Sequence, residues 1–323
     1  MKTLRVAVAV LGAIVLTVAP FAGAQNFPSR PIRLIVSISP GGAPDIVARI
    51  LADKLGPALG QPLVVENRVG ANGNIAAEAV AHARPDGHTL LLGQDSIFVI
   101  NPHLYKRMAV DVKRELVPLA PVASNMFVLA LNPAVPANNL AEFIDHARKA
   151  NPPLHYASGG NGSQHHLTME MLKQRAAIEL VHVPYRGGAP ATMATLAGEA
   201  AAMFAGTSNA PQIKAGKLRA VAVTGPRRSE QFPELPAIAE LYPGFEATIW
   251  LGVFAPAATP APILARLREE ITQALASPEV KERLHAAGGL LPLMLSSAEF
   301  SALIERDSAK YGSIVRRLGL TID

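Results

Sequence analysis

The chain predicts an α/β fold of two lobes closing on a cleft. Three observations predict it. Apolar strand-like runs alternate with amphipathic segments of helical length; two glycine-rich turns, far apart, each join such a run to a helix; and two long extended stretches separate one alternating series from the other. Parallel strands with right-handed crossovers follow from the alternation.

Taken in order, the first 24 residues have the layout of an export leader. Lys2 and Arg5 precede the apolar run 6–18, and Ala22-Gly23-Ala24 fits a small-x-small cleavage pattern. The run is shorter than the roughly 20 residues that a membrane span needs. No other segment is apolar for long enough, so the sequence predicts cleavage after Ala24 and a soluble protein free in the periplasm. Cysteine is absent, which excludes disulfides, a thiolate nucleophile, a cysteine-ligated metal and a lipid anchor on an N-terminal cysteine. The formal charge of +5 falls to about +3 once Lys2 and Arg5 leave with the leader. Scattered basic residues of so small an excess do not make the stripe of a nucleic-acid binder.

The first alternating series has strand-like runs at 34–36, 63–65 and 90–92, with helical patterns over 45–59 and 75–82. Residues 116–132 are apolar but interrupted by Pro118 and Pro121 and followed by Pro133, too long and too broken for one central strand. They read as a crossing to the second lobe. The second series has helices over 140–150, 164–174 and 190–197, and strands at 155–157, 180–183, 200–204 and 218–223. A return crossing at 248–255 precedes a long helix over 263–276, and helices ending near 286 and 315 complete the first lobe. The division is residues 25–127 and 249–323 for lobe 1 and 128–248 for lobe 2, with two extended crossings suited to hinge closure.

The chemistry sits in the turns. The first reads Ser39-Pro40-Gly41-Gly42-Ala43-Pro44-Asp45, and the second Ser158-Gly159-Gly160-Asn161-Gly162-Ser163. Each leaves amides at a helix start without intrahelical partners, a natural receptor for an anion. The first is neither a dinucleotide fingerprint nor a P-loop. Asp45 either caps its helix or turns its carboxylate to the cleft. Ser158, Asn161 and Ser163 add uncharged donors to the second turn. The loop 66–74 and Gln94-Asp95-Ser96 follow strands and belong to the same rim. His165 and His166 lack a third ligand spaced for zinc, and a structural hydrogen bond suits His166 better. Gly206-Thr207-Ser208-Asn209-Ala210 misses the final glycine of a nucleophile elbow. Trp250 reads as core or hinge packing.

Taken in order, these residues resemble the Bug-type solute-binding proteins of tripartite tricarboxylate transporters. The matching stretches are Pro28 to Arg33, Pro40-Gly41-Gly42 with Asp45, Glu66-Asn67-Arg68, Asn101 to Tyr105, and Tyr156-Ala157-Ser158 with Gly160 to Ser163. Val183 to Gly187, Ile213 to Ala220 and Phe254 to Ala257 extend them toward the C-terminus. The resemblance implies a Venus-flytrap periplasmic-binding-protein fold of type II kind, each lobe a mixed, mostly parallel sheet flanked by helices. It also implies a receptor, not an enzyme, that takes a small mono- or dicarboxylate, aromatic and amino acids included, and delivers it to a membrane permease. Ser39, Gly41, Gly42, Ala43 and Asp45 would face Ser158, Gly159, Gly160, Asn161 and Ser163 across the pocket, with Ser96, Arg186, Gly187 and Thr207 in further cleft loops. No catalytic residue, cofactor, metal or nucleic acid is expected, and the receptor is expected to be a monomer. The sequence departs from the family where Ser37, Ile38 and Ser39 stand in place of the common Pro-Phe-Ala, and where an acidic residue in 200–205 gives way to apolar ones. An exported hydrolase-like enzyme and a carboxylate sensor are the alternative readings.

Overall fold

One long strand joins everything else. In the computed structural model, which describes residues 27–323, strand β4 runs unbroken over Leu116–Leu131. Ahead of it come β1 (Ile32–Val36), β2 (Leu63–Asn67) and β3 (Thr89–Gln94); after it come β5 (Leu154–Ser158), β6 (Leu180–Pro184), β7 (Ala202–Gly206), β8 (Arg219–Val223), β9 (Thr248–Pro256) and the short β10 (Leu291–Pro292). The expected leader and its cleavage site lie outside the described residues.

The sheet runs β2-β1-β3-β9-β4-β7-β5-β6, with β8 and β10 also paired to β4. β9 pairs antiparallel with Leu116 to Met126, while β7 and β8 pair antiparallel with the remainder, Phe127 to Leu131. A strand has two edges, so β8 and β9 follow one another along one edge of β4, and β7 and β10 along the other. The ladder is closed at the changeover by the Thr224 amide on the Phe127 carbonyl (3.0 Å) and the Ala247 amide on the Thr224 carbonyl (3.0 Å).

The crossing expected at 116–132 is thus present, but as a single central strand. The prolines that argued against this lie at the two places where the register with β9 shifts, between Pro118 and Ala120 and between Pro121 and Ala123. The residues left without a β9 partner are Leu119 and Val122, one after each proline, so each proline stands at a local break in the ladder.

Helices cover both faces. α1 (Ala43–Leu59), α6 (Ala261–Ala276) and α7 (Pro278–Ala286) enclose one core of the first half with Leu34, Val36, Leu251 and Val253. α2 (Asn74–Ala81) and the C-terminal α8 (Ser297–Arg317) enclose the opposite core with Ile35, Leu91, Trp250 and Phe254. Strands buried on both faces account for the unbroken apolar runs in the sequence. In the second half, α3 (Leu140–Lys149) and α4 (Gln164–Ala176) cover Phe127, Leu129 and Leu131, and α5 (Gly188–Ala197) packs against smaller apolar groups. Leu167 of α4 is buried in the first half's core beside Leu104 and Tyr311, so the halves share apolar packing as well as β4.

Trp250, on β9, is fully buried, and its indole N–H donates to the buried carboxylate of Asp307 on α8 (3.0 Å). Trp250→Phe removes that donor and leaves a small void. It should lower unfolding free energy by about 2–4 kcal/mol, measured by urea titration with far-UV circular dichroism.

Candidate functional site

The strand directions aim the glycine turns at one another. β3 is antiparallel to β9, β9 to β4, and β1 parallel to β3, so β1 and β3 run with β4. β7 is antiparallel to β4, and β5 is parallel to β7 and β6. The carboxyl ends of the two parallel sets therefore point toward each other from opposite halves, and helices α1, α4 and α5 begin at those ends.

The first turn is braced from inside. Gly41 has φ +83°, and its amide donates to Asp45 Oδ2 (2.9 Å). The same carboxylate, almost fully buried, receives Arg49 Nε and Nη2 (both 3.0 Å) and Asn67 Nδ2 (2.9 Å). Asn67 also donates to the Ile38 carbonyl (2.9 Å), which binds the loop after β2 to the turn. The Arg49 guanidinium, helped by the Gly41 amide and Asn67, holds the Asp45 carboxyl down at about 2 against the opposing effect of burial. Asp45 thus shapes the turn, and four protein donors already occupy its oxygens. Ser39 and Gly41 are exposed, Gly42 and Ala43 half-buried.

The second turn is braced in a similar way. Ser158 is fully buried; its Oγ accepts from the Gly160 amide (3.0 Å) and lies 2.6 Å from His182 Nε2. Gly160 has φ +124° and Gly162 φ +72°, a conformation glycine adopts without strain. The Gly162 amide donates to His166 Nδ1 (3.0 Å), and His166 stacks on His182 with centroids 3.9 Å apart. This is the structural hydrogen bond expected of His166. Ser163 caps α4 through the His166 amide (3.3 Å), and Asn161 is exposed. The adjoining loop is tied on by the Gly187 amide to the Gly159 carbonyl (3.2 Å) and the Tyr185 amide to the Ser158 carbonyl (3.0 Å). Gly187 and exposed Arg186 are thereby brought beside the second turn.

A scan of protein families and of solved structures finds this architecture. Residues 47–320 match the model of the tripartite tricarboxylate transporter family receptor. The chain belongs to that family. It is 35% identical to the protein BugT of Bordetella pertussis over 319 residues, 96% of this chain and 97% of that one. A solved R. palustris protein with adipate superimposes with a TM-score of 0.84 at 30% identity, covering 92% of this chain and 100% of the other. MatC from Rhodopseudomonas palustris with bound malate gives a TM-score of 0.78 at 30% identity, covering 90% and 100%. The periplasmic binding protein BugD superimposes with a TM-score of 0.80 at 31% identity, covering 92% of this chain and 100% of the other, and the two-lobed α/β fold expected from the sequence is that of these neighbours. The hydrolase-like alternative has no place in such a family.

The polar groups at the junction of the halves are held by residues far apart in the sequence. Asp95, expected on the rim, is completely buried. It accepts from the Ser96 amide (2.7 Å), the Trp250 amide (3.3 Å) and the Gln164 side-chain amide of α4, in the other half. Burial pushes its carboxyl up to about 7, with the Ser96 and Trp250 amides pulling the other way. Ser96, half-buried, follows it in the chain. Thr207 is also buried, with its Oγ1 accepting from Asn125 Nδ2 of β4 (2.6 Å) and donating to the Gly288 carbonyl, close by β10. Nothing in the local sequence marks the polar cluster of Asp95, Gln164, Trp250 and Asp307, because its members are separated by up to 212 positions and meet only through the sheet.

A cavity of about 1050 Å³ opens at the changeover between halves, lined by Ser124, Met126, Arg227, Gln231, Trp250 and Leu293 among others. None of the residues assigned from sequence lines it. Among the described residues, no group of three histidine, aspartate or glutamate side chains is placed to hold a metal, and no helix is long and apolar enough to cross a membrane.

Asp45 gives a pH test. Its folded pKa lies below the ordinary value of 3.8, at about 2, so its ionised form stabilises the fold above pH 4 and that contribution disappears as pH falls through about 2. Asp45→Asn should cost about 1–2 kcal/mol at pH 7, the value being held down by the exposure of Arg49. The gap between variant and wild type in urea midpoints should narrow between pH 4 and pH 2.

Proposed function

We propose that this chain is an extracytoplasmic receptor that binds a small carboxylate between its lobes and presents it to the permease of a tripartite transporter. The observation that carries the reading is the confrontation of two braced glycine turns, each at a helix start, from oppositely running strand sets. First-turn amides of α1, α4 and α5 have no intrahelical acceptors, and helix N-termini favour negative charge. Ser39, Gly41, Gly42, Ala43 and Asp45 form one wall of the proposed site, with Asp45 as its internal brace. Ser158, Gly159, Gly160, Asn161, Ser163, Arg186 and Gly187 form the other. Ser96 and Thr207 belong to its floor, near the strands that join the lobes. Adipate and malate in the two structural neighbours support a dicarboxylate within the mono- or dicarboxylate class.

In this reading residues 25–127 with 249–323 form one lobe and 128–248 the other, and the mature receptor works in the periplasm as a monomer after loss of its leader. Ligand that prefers the closed arrangement shifts the population toward it. The closed pair of lobes then offers the permease a surface that neither lobe has alone.

Thermal denaturation against a panel of mono- and dicarboxylates, adipate and malate included, tests this directly. A bound compound at 100 times its dissociation constant adds about 2.7 kcal/mol of stability. Gly159→Val places a side chain against His165, whose Nδ1 lies 3.2 Å from the position of a Cβ there, and should abolish the ligand-induced shift while the unliganded protein still melts cooperatively. A panel without any stabilising carboxylate overturns the reading.

A further inference from the structure

His165 stands where the second turn, the loop after β6 and β4 come together. It lies in the first turn of α4, and its ring packs against Phe127 of β4, with centroids 4.8 Å apart and planes tilted by 50°. Its nitrogens face one glycine loop each. A Cβ on Gly159 would stand 3.2 Å from Nδ1, and a Cβ on Gly188 would stand 3.6 Å from Nε2. A side chain on Gly159 would thus crowd the ring, whereas one on Gly188 would make ordinary van der Waals contact with it.

The neighbouring histidines are accounted for by the protein. His166 Nδ1 is held by the Gly162 amide, and His182 Nε2 by the Ser158 hydroxyl. Neither ring nitrogen of His165 has a hydrogen-bond partner among the described residues, and enclosure by the protein is the sole influence on its ionisation. The side chain is nevertheless only half-buried, and its ring nitrogens are not among the fully enclosed, unpartnered polar atoms of the described residues. A partly accessible polar nitrogen without a protein partner is satisfied by water or by a ligand that reaches it.

We infer that His165 is a specificity-determining residue of this receptor, its ring donating one N–H to a carboxylate oxygen of the bound solute. The inference rests on the carboxylate-receptor reading above and adds to it a side chain outside the two turns. Burial holds the ring's pKa down at about 4, so at neutral pH it is uncharged and offers one donor and one acceptor. It therefore selects by hydrogen-bond geometry, without supplying a countercharge. The acceptor nitrogen remains open to a hydroxyl, amide or water beside the carboxylate, a feature that an apolar residue or a lysine at this position would lack.

The test titrates adipate and malate into wild type, His165→Leu and His165→Gln by calorimetry, and follows histidine ring ¹⁵N resonances in labelled wild-type protein. Leu keeps the packing on Phe127 and removes both polar atoms; Gln keeps a donor and an acceptor. For whichever probe binds wild type, Leu should weaken binding about tenfold or more and Gln about threefold or less. The His165 resonances should shift on binding, while those of His103, whose Nε2 already meets Ser308 Oγ at 2.9 Å, stay in place. Equal affinity in wild type and Leu, with unmoved His165 resonances, overturns the assignment and leaves the receptor reading standing. Failure of both probes and of the wider carboxylate panel to bind wild type overturns that reading, and this inference with it.

Discussion

The pairing of β4 with its neighbours is the constraint on which the remainder depends. Its Leu116 to Met126 stretch is a member of one half-sheet and its Phe127 to Leu131 stretch a member of the other. Because β8 hands over to β9 along one edge and β7 to β10 along the other, the chain cannot form either half without committing the strand that begins the other. This sets the strand directions, and the directions in turn aim the turns after β1 and β5 at one another. Bulges beside the two prolines let the strand pass through with its pairing to β9 resumed on either side.

The turns themselves are held by polar groups that do not depend on a ligand. Asp45 and Ser158 play equivalent parts: each is buried, and each takes a glycine amide of its own turn. Both are anchored to a residue from a neighbouring strand or its end, Asn67 for Asp45 and His182 for Ser158. Preorganised amides bind an anion without the cost of ordering a loop first. The lobes also meet directly, through Leu167 in the apolar core of the first half and through Gln164 on Asp95. A carboxylic group pushed up to about 7 by burial and hydrogen-bonded across the halves makes their contact polar at its centre and apolar around it.

Much of the fold was legible in the chain because its strands and helices bury local, periodic patterns. Leu34 to Val36, Leu63 to Val65 and Leu90 to Leu92 fall in strands, and the α1 pattern through Val47, Ile50, Leu51 and Leu55 is the buried face of that helix. The glycine turns were legible too, since left-handed Gly41, Gly160 and Gly162 occupy conformations that other residues adopt only under strain. The stretch 116–132 reads as broken in sequence because proline is a strand breaker unless the ladder slips beside it, and only the pairing with β9 shows that it does. Asp95 was misplaced on the rim because its position after a strand says nothing about which helix of the other half lies over it.

By itself the sequence determined most of the element order, the glycine turns and the family, since these rest on residue patterns a few positions long repeated in a set order. The tertiary structure decided which polar groups are free and which are taken. Asp45 and Ser158 are occupied, Thr207 ties the changeover to the region of β10, and His165 is open between two glycine loops. That distinction depends on contacts between residues tens to hundreds of positions apart, and only the closed sheet brings them within hydrogen-bonding distance.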